Sequence, residues 1–508
     1  MTTVREEQVV AAPAAGRSAG RFDVAVVGLG PVGTLLAGLL GLRGLRVIAL
    51  DSAADVFPLP RAAHIDHTGL RAVQELGCLD ELLPLMMPNP GIDFIGCDGD
   101  LLMRVPADRP DGSALPSSVY FYQPEFDGAL RRRVTSLPDV QVSLMTEVVG
   151  LEELDDLVSL TCRRDGGAPS EVHASYVVGC DGAASDIRQL IGVGLQDLGF
   201  HEKWYVVDLL LGQDAHLPQR AMYFCDPARP HVVIPMPGHR HRVEFKLLPG
   251  ELEEFLGHGD IERILKELVD DQDLEIERAA VYTFHGLVAD QWRVGRTLLA
   301  GDAAHQMPPF LGQGMCSGFR DATNLAWKID HVLRRGAPQS LLDTYESERG
   351  PHVRDVIARA IDYGNVVALL DPEAAKKRDE RLRREHSQLP FTLPTLTPGP
   401  AVLVGGGRML SQPVLNGHLF DDVVGQRFLV LVRDSGDLGT TAEWWRSGMG
   451  ARVLVGEELQ VAAPSLLDWL HEEALRVAVV RPDRYLLAAL DADLDGVTAA
   501  VRGFLAQA

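Results

Sequence analysis

Residues 23 to 33, Asp-Val-Ala-Val-Val-Gly-Leu-Gly-Pro-Val-Gly, constrain the fold more than any other stretch of this chain. An apolar run, Val24 to Val27, enters a turn built on Gly28, Gly30 and Gly33. Leu35, Leu36, Leu39 and Leu40 then recur at helical spacing, and a second apolar run, Arg46 to Leu50, ends on Asp51. Strand, glycine turn, helix, strand and terminal acid is the order of a dinucleotide-binding βαβ unit. Gly28 permits the tight turn, Gly30 leaves the backbone bare for a pyrophosphate, and Gly33 lets the helix pack closely. Pro31 and Val32 open the helix, whose free N–H groups and positive dipole end suit phosphate. Asp51 is placed to accept hydrogen bonds from ribose hydroxyls. The competing reading is an ordinary βαβ turn whose glycines serve packing alone. The expectation is an ADP-containing cofactor near the N-terminus.

Composition narrows the partners. A formal net charge of −23 over 508 residues argues against nucleic acid or an anionic membrane as main partner. The most apolar stretch, Leu35 to Leu50, is interrupted by Arg43 and Arg46, so no transmembrane helix is expected. Residues 1 to 20 lack a basic start followed by an apolar block and read as a disordered tail, not a secretory signal. The six cysteines are scattered without a C-x-x-C pair, which fits a reducing cytoplasm and neither a disulfide frame nor structural zinc.

Two later corners repeat the strand-to-ligand pattern. Tyr176 to Val178 run into Asp181-Gly182, followed by a helix that Ser185 or Asp186 can cap. Thr297 to Ala300 run into Gly301-Asp302, whose carboxylate suits a sugar-alcohol chain. Pro308 and Pro309 then stiffen a loop that is bare at Gly312-Gln313-Gly314, before Met315 and a helix expected to reach about His331. That loop can lay backbone N–H groups against a flat ring, with the helix N-terminus favouring negative charge there.

Together these three stretches resemble the single-component (group A) FAD-dependent aromatic hydroxylases, and most closely those acting on 3-(3-hydroxyphenyl)propionate. The resemblance spans roughly residues 21 to 400 and includes Arg61 after the second strand and Gln123 before a helix. Asp51 stands where many relatives carry glutamate, and His64 and His67 are departures from the residue types expected there. The resemblance implies that the first glycine turn holds the ADP part of FAD. It ties Asp181-Gly182 to both FAD and the pyridine nucleotide, Gly301-Asp302 to the ribityl chain, and Gln123 to the flavin. It further implies NADH or NADPH and O2 as co-substrates. A phenolic small molecule would be hydroxylated through a flavin C4a-hydroperoxide in a site that excludes water.

The implied fold is α/β: a Rossmann-like FAD-binding domain of the p-hydroxybenzoate hydroxylase type, a β-sheet substrate domain and a C-terminal thioredoxin-like domain. The FAD-binding part is expected at 21–80, 115–190 and 285–400, the substrate part at 81–114 and 191–284, and the last domain at 401–508. Strands are expected over Ala221 to Cys225, His231 to Met236 and His241 to Leu248, and a linker over Leu389 to Pro400. The C-terminal unit lacks cysteine and so cannot perform dithiol chemistry; a packing or homodimer role is expected for it.

No Ser-His-Asp set or metal-ligand cluster is readable. A base that deprotonates the phenol would raise ring electron density, and His64, His67, Tyr223 and His285 are candidates by residue type. Structural or surface roles compete with that reading for each of them. His305, beside Gly301-Asp302, is expected to be packed and hydrogen-bonded. Arg242 and Lys246 share a strand face on a period-two reading and could pair with a substrate carboxylate. The basic runs Lys376 to Arg378 and Arg381 to Arg384 read as a solvated helical face. Two alternatives stay open: hydroxylation of a larger polyketide-type aromatic, and a flavin oxidase or dehydrogenase without oxygen insertion. A flavin-binding scaffold or regulator without catalysis is the non-enzyme alternative.

Overall fold

The computed structural model describes residues 20–107, 114–212, 217–248, 250–251, 258–269, 273–385, 392–415 and 417–505. The tail read over residues 1 to 20 lies outside them, apart from Gly20.

Strand Arg21–Val27 lies inside an eight-stranded sheet, parallel to Val47–Leu50 on one side and to Pro169–Gly179 on the other. Val24 is registered with Val47 and with Tyr176. Helices cover this part of the sheet, which is why Val24 to Val27 are continuously apolar and buried instead of alternating. Thr297–Leu299 extends the parallel set beside Pro169–Gly179. The three corners read from the sequence therefore leave neighbouring strands at their C-terminal ends, where open α/β sheets bind ligands. Helices Pro31–Leu42 and Gly314–Arg334 pack together closely enough that a Cβ on Gly318 would stand 2.4 Å from Val32 Cγ2.

A second eight-stranded sheet stands over these strand ends. Ala221–Phe224, His231–Met236 and Arg240–Lys246 form where the alternation placed them. Gly91–Ile95 joins in parallel beside Ala221–Phe224. The longest strands, Leu195–Leu211 and Leu274–Ala289, were not legible as single units. Their pairing shifts register between Asp197 and His201 and again at Asp208, and such irregularities break the period of two.

The C-terminal sheet has the order Arg452–Val455, Leu429–Val432, Val477–Val480, Leu486–Leu490. Its first pair is parallel and the others antiparallel, the thioredoxin-like sense. This unit is tied to the rest by Arg481, whose buried guanidinium lies 2.9 Å from Glu348 and donates to Asp483. Asp483 also accepts from Trp327 Nε1 at 3.1 Å. The helix Pro372–Glu385 corrects one expectation: Lys376, Lys377, Arg381 and Arg384 are exposed, but Arg378 is buried. It donates to the carbonyls of Cys225 and Val366, clamping this helix to the second sheet.

Among the described residues no helix is long and apolar enough to cross a membrane, and all six cysteines are free.

Candidate active site

The glycines of the first turn answer to different demands. Gly28 has φ +92°, and a Cβ there would meet the Cys180 carbonyl oxygen at 2.5 Å. A Cβ on Gly33 would stand 1.9 Å from the Gly28 oxygen. Both are required by the protein's own backbone. Gly30 is not: its φ is −64°, open to any residue, and no protein atom lies within 4 Å of a Cβ built there. Gly314 is similarly open, with nothing nearer than Met307 Cγ at 3.9 Å, while Gly182 has free space around a Cβ but a φ of +83° that itself favours glycine. All three line one cleft of about 540 Å³. Side chains at these places would project into the space that the turn leaves bare.

Asp51 shapes the entrance of the turn. It accepts from Leu29 N at 2.7 Å and from Ala53 N at 2.8 Å, which leaves other carboxylate lone pairs for ribose hydroxyls. Arg131 was not anticipated from the sequence. Its Nη2 donates to Leu29 O at 2.6 Å and lies 3.9 Å from Asp51, while its buried Nε and Nη1 lack a hydrogen-bond partner. Buried unpartnered donors beside this glycine turn call for an anion or another acceptor. Arginine in the middle of a predicted helix carries no signal of this role.

Gln123 holds the Arg61 segment in place, accepting from both Arg61 N and Ala62 N at 2.7 Å. Its amide donates to Asp127, so much of its bonding capacity serves the loop; the residue also lines the cleft. The Arg61 guanidinium sits over the Phe57 ring at 4.2 Å and borders the cleft. Asp181 caps the short helix that follows it, accepting from Ser185 Oγ at 2.6 Å and Ile187 N at 3.0 Å; Gly182, not Asp181, faces the cleft. The Ser185 hydroxyl is the N-cap, accepting from Arg188 N.

Asp302 opens into the cleft with protein on several sides. That crowding raises its carboxyl above the ordinary aspartate value, with His305 and Arg61 pulling the other way. Gly301 is fixed from behind by Asp321, which accepts from Gly301 N at 3.1 Å, His305 Nε2 at 2.6 Å and Arg349 Nε at 2.9 Å. His305 is thus packed and bonded, as expected of it. Pro308 precedes a tight turn whose Gly312 has φ +62°. Pro31, Val32, Gly312 and Met315 line the cleft. The Gln313 side chain accepts from Arg320 at 2.6 Å and borders a neighbouring cavity, which leaves only its backbone toward the turn.

The four candidate bases separate clearly. His67 borders that same other cavity and not the cleft. His64 lies 3.1 Å from Gly312 O through Nδ1 and 2.5 Å from Ser118 Oγ through Nε2. Asn89 donates to the same Ser118 oxygen, so its hydroxyl proton goes to His64 Nε2, and Nδ1–H goes to Gly312. Burial lowers the His64 pKa, although Asp66 and the Gly312 carbonyl oppose it. His64 is a neutral strut under the Gly312 turn. Its replacement by alanine leaves a buried carbonyl and hydroxyl short of a partner and should cost about 1–3 kcal/mol of stability. Denaturant unfolding checks this; an unchanged midpoint would contradict the strut. Tyr223 is buried and donates to Phe310 O at 3.0 Å, with burial pushing its hydroxyl well above the ordinary tyrosine value. His285 lines the cleft, and its Nδ1 lies 2.9 Å from His201 Nδ1, while His201 Nε2 lies 2.6 Å from Asp197.

Arg242 and Lys246 are both committed elsewhere. Arg242 donates to Asp208 at 2.7 Å and to the carbonyls of Arg61 and Pro60. Lys246 donates to Ala368 O and pairs with Glu202. The period-two reading put them on one face, but burial forces each cation to find protein acceptors.

Adjacent parallel strand ends, a glycine turn bare toward a cleft and the unpartnered donors of Arg131 behind that turn are the features of a dinucleotide-cofactor protein. Residues 21–360 match the family described as FAD binding domain. The chain is 37% identical to a probable NADH-specific resorcinol 4-hydroxylase of Rhodococcus jostii (strain RHA1), covering 96% of this chain and 95% of that protein. It is 33% identical to a 3-(3-hydroxy-phenyl)propionate/3-hydroxycinnamic acid hydroxylase of Burkholderia cenocepacia (strain HI2424), covering 96% and 97%. Its fold is shared with aklavinone-11 hydroxylase, solved with FAD and aklavinone, at TM-score 0.80 and 20% identity over 96% of this chain and 100% of that one. The chain belongs to the FAD-dependent aromatic hydroxylases. The open backbone at Gly30, Gly182 and Gly314 and the free donors of Arg131 fit FAD.

Proposed function

We propose that this enzyme hydroxylates a small uncharged phenol of the resorcinol type with NADH as reductant. The observation that carries this reading is the state of the cleft's cations. Arg61 and Arg242 are the lysine or arginine residues that line it among the described residues. Arg242 is spent on Asp208 and two carbonyls, and Arg61 stands at the Asp302 side, where the cofactor's polar chain belongs. A substrate carboxylate would be buried beside Ile234, Tyr282 and Phe284 without a partner, at a cost of several kcal/mol. A neutral phenol carries no such cost. The similarity to a resorcinol hydroxylase supports the same substrate class and NADH. A cleft of about 540 Å³ shared by flavin ring and substrate favours a single ring over a polycycle.

Bound FAD supplies the hydride acceptor and the oxygen-transfer chemistry. Gly30 and the N-terminus of its helix would receive the pyrophosphate, Asp51 the ribose and Asp302 the ribityl hydroxyls. The turn at Gly312 and the N-terminus of the Gly314–Arg334 helix would hold the flavin ring when FAD is bound. Phe284, Tyr282 and Ile234 exclude water from the reacting end. On this reading residues 401–508 form a packing unit, and the free cysteines suit a cytoplasmic setting.

Steady-state kinetics on resorcinol, phenol and 3-(3-hydroxyphenyl)propionate, scored for NADH use and hydroxylated product, test the proposal. Resorcinol should exceed the propionate by at least tenfold in kcat/KM; the reverse order would overturn it.

A further inference from the structure

The reacting end of the cleft contains a carboxylate that the fold does not use. Glu244 lies on the central strand Arg240–Lys246, is 4% exposed and lines the cleft. Its carboxyl makes no hydrogen bond or ion pair with any described residue. The contrast with its neighbour two positions earlier is sharp, because Arg242 on the same strand face satisfies its guanidinium three times over. Burying a carboxyl without a partner is expensive, and folded proteins keep such a group where it meets a ligand.

The surroundings leave that carboxyl facing the ligand space. Glu244 is registered between Val206 and Val232, both apolar, and Val232 is registered with Tyr223. The charged or titratable groups around it are Arg242, Asp208 and Tyr223. Asp208 is taken by Arg242, and the Tyr223 hydroxyl donates to Phe310 O. None of these partners neutralises Glu244 directly.

We infer that Glu244 is the base that takes the phenolic proton of the substrate. This rests on the phenol-hydroxylase reading above. In the step the substrate O–H bond breaks, its electron pair stays on the ring oxygen, and the proton moves to a Glu244 carboxylate oxygen. The phenolate ring is the more electron-rich nucleophile toward oxygen transfer. When the product ring regains aromaticity, its C–H electron pair returns to the ring and its C–H proton goes to the second oxygen atom, which departs as water; the ring oxygen takes back the proton held by Glu244, and the carboxylate is regenerated. Burial pushes the Glu244 carboxyl up to about 7, with Arg242 opposing and Asp208 adding to the rise. A base must be ionised to act, so kcat/KM should climb with pH through that region and then level.

The test uses the FAD-loaded full chain as wild type, Glu244→Gln and Glu244→Asp. Flavin content and resorcinol binding are followed by the flavin absorbance change. If wild type yields no hydroxylated product from any phenol, the functional reading itself fails. If it does, Glu244→Gln should bind resorcinol within a few-fold of wild type. It should lose about a hundredfold or more in the rate of product formation and lose the acid limb of the pH profile. Glu244→Asp should recover part of the rate with the limb present. Glu244→Gln keeping both wild-type rate and limb would overturn the inference. So would equal losses in both variants with the limb unmoved, which is the behaviour of a packing residue.

Discussion

A Gly30→Val protein folds with the stability of its parent and binds FAD roughly ten- to a hundredfold more weakly, from about 1–3 kcal/mol of overpacking against the ligand. The reason is where the new side chain goes. No protein atom lies within 4 Å of a Cβ at Gly30, and its φ of −64° suits any residue, so the apoprotein has no reason to object. On the proposed reading the cofactor does, because its pyrophosphate would occupy that space at the helix N-terminus. Gly33→Ala is the matched control. Its Cβ would stand 1.9 Å from the Gly28 oxygen, so it should lower stability whether or not FAD is present. Chemical denaturation of the two apoproteins, with flavin titration of each, separates a ligand-imposed glycine from a fold-imposed one. A Gly30→Val protein that keeps parental FAD affinity would remove the pyrophosphate from this turn.

That contrast also marks how far the sequence could be read. The turns at Gly28, at Asp181-Gly182 and at Gly301-Asp302 and the Pro308–Gly314 loop were legible as strand-to-turn corners because each uses a residue type with little alternative purpose at its spacing. The cleft-lining strands near Ala221, His231 and Arg240 were legible because alternation survives on a sheet with one covered face. What stayed hidden depends on contacts between residues far apart in the chain. His64 looks like a base until Gly312 and Ser118, distant in sequence, are found on its two nitrogens. Arg242 looks like a carboxylate receptor until Asp208 occupies it. Glu244 has the opposite history: an acid in a strand looks like a surface charge, and only its burial without a partner sets it apart. Pairing and absence of pairing are tertiary facts, with no local pattern to announce them.

Asp321 is the clearest hidden residue, and replacing it should bring the largest loss of stability. An Asp321→Ala protein should lose about 3–5 kcal/mol in the unfolding transition of the FAD-binding part, the cost of breaking a buried ion pair from one side. Arg349 is fully buried and donates to Asp321, to Ser317 O and toward His352; without the carboxylate its charge has no counter-ion in this cluster. Gly301 N and His305 lose their acceptor in the same stroke, so the turn that presents Asp302 loosens and FAD retention falls too. Asp321→Asn keeps an acceptor oxygen and should lose less, about 1–3 kcal/mol. The pH dependence fixes the sign. Burial alone would raise the Asp321 carboxyl, but His305 and Arg349 outweigh it and hold the folded-state value below the ordinary one. The stabilisation is therefore full above the usual aspartate range and is lost as pH falls through the depressed value. Wild type and Asp321→Asn should differ most near neutrality and converge in acid, as followed by denaturant unfolding at several pH values. A constant gap between them down to the acid limit would mean that Asp321 supports the cleft through shape alone and not through its charge.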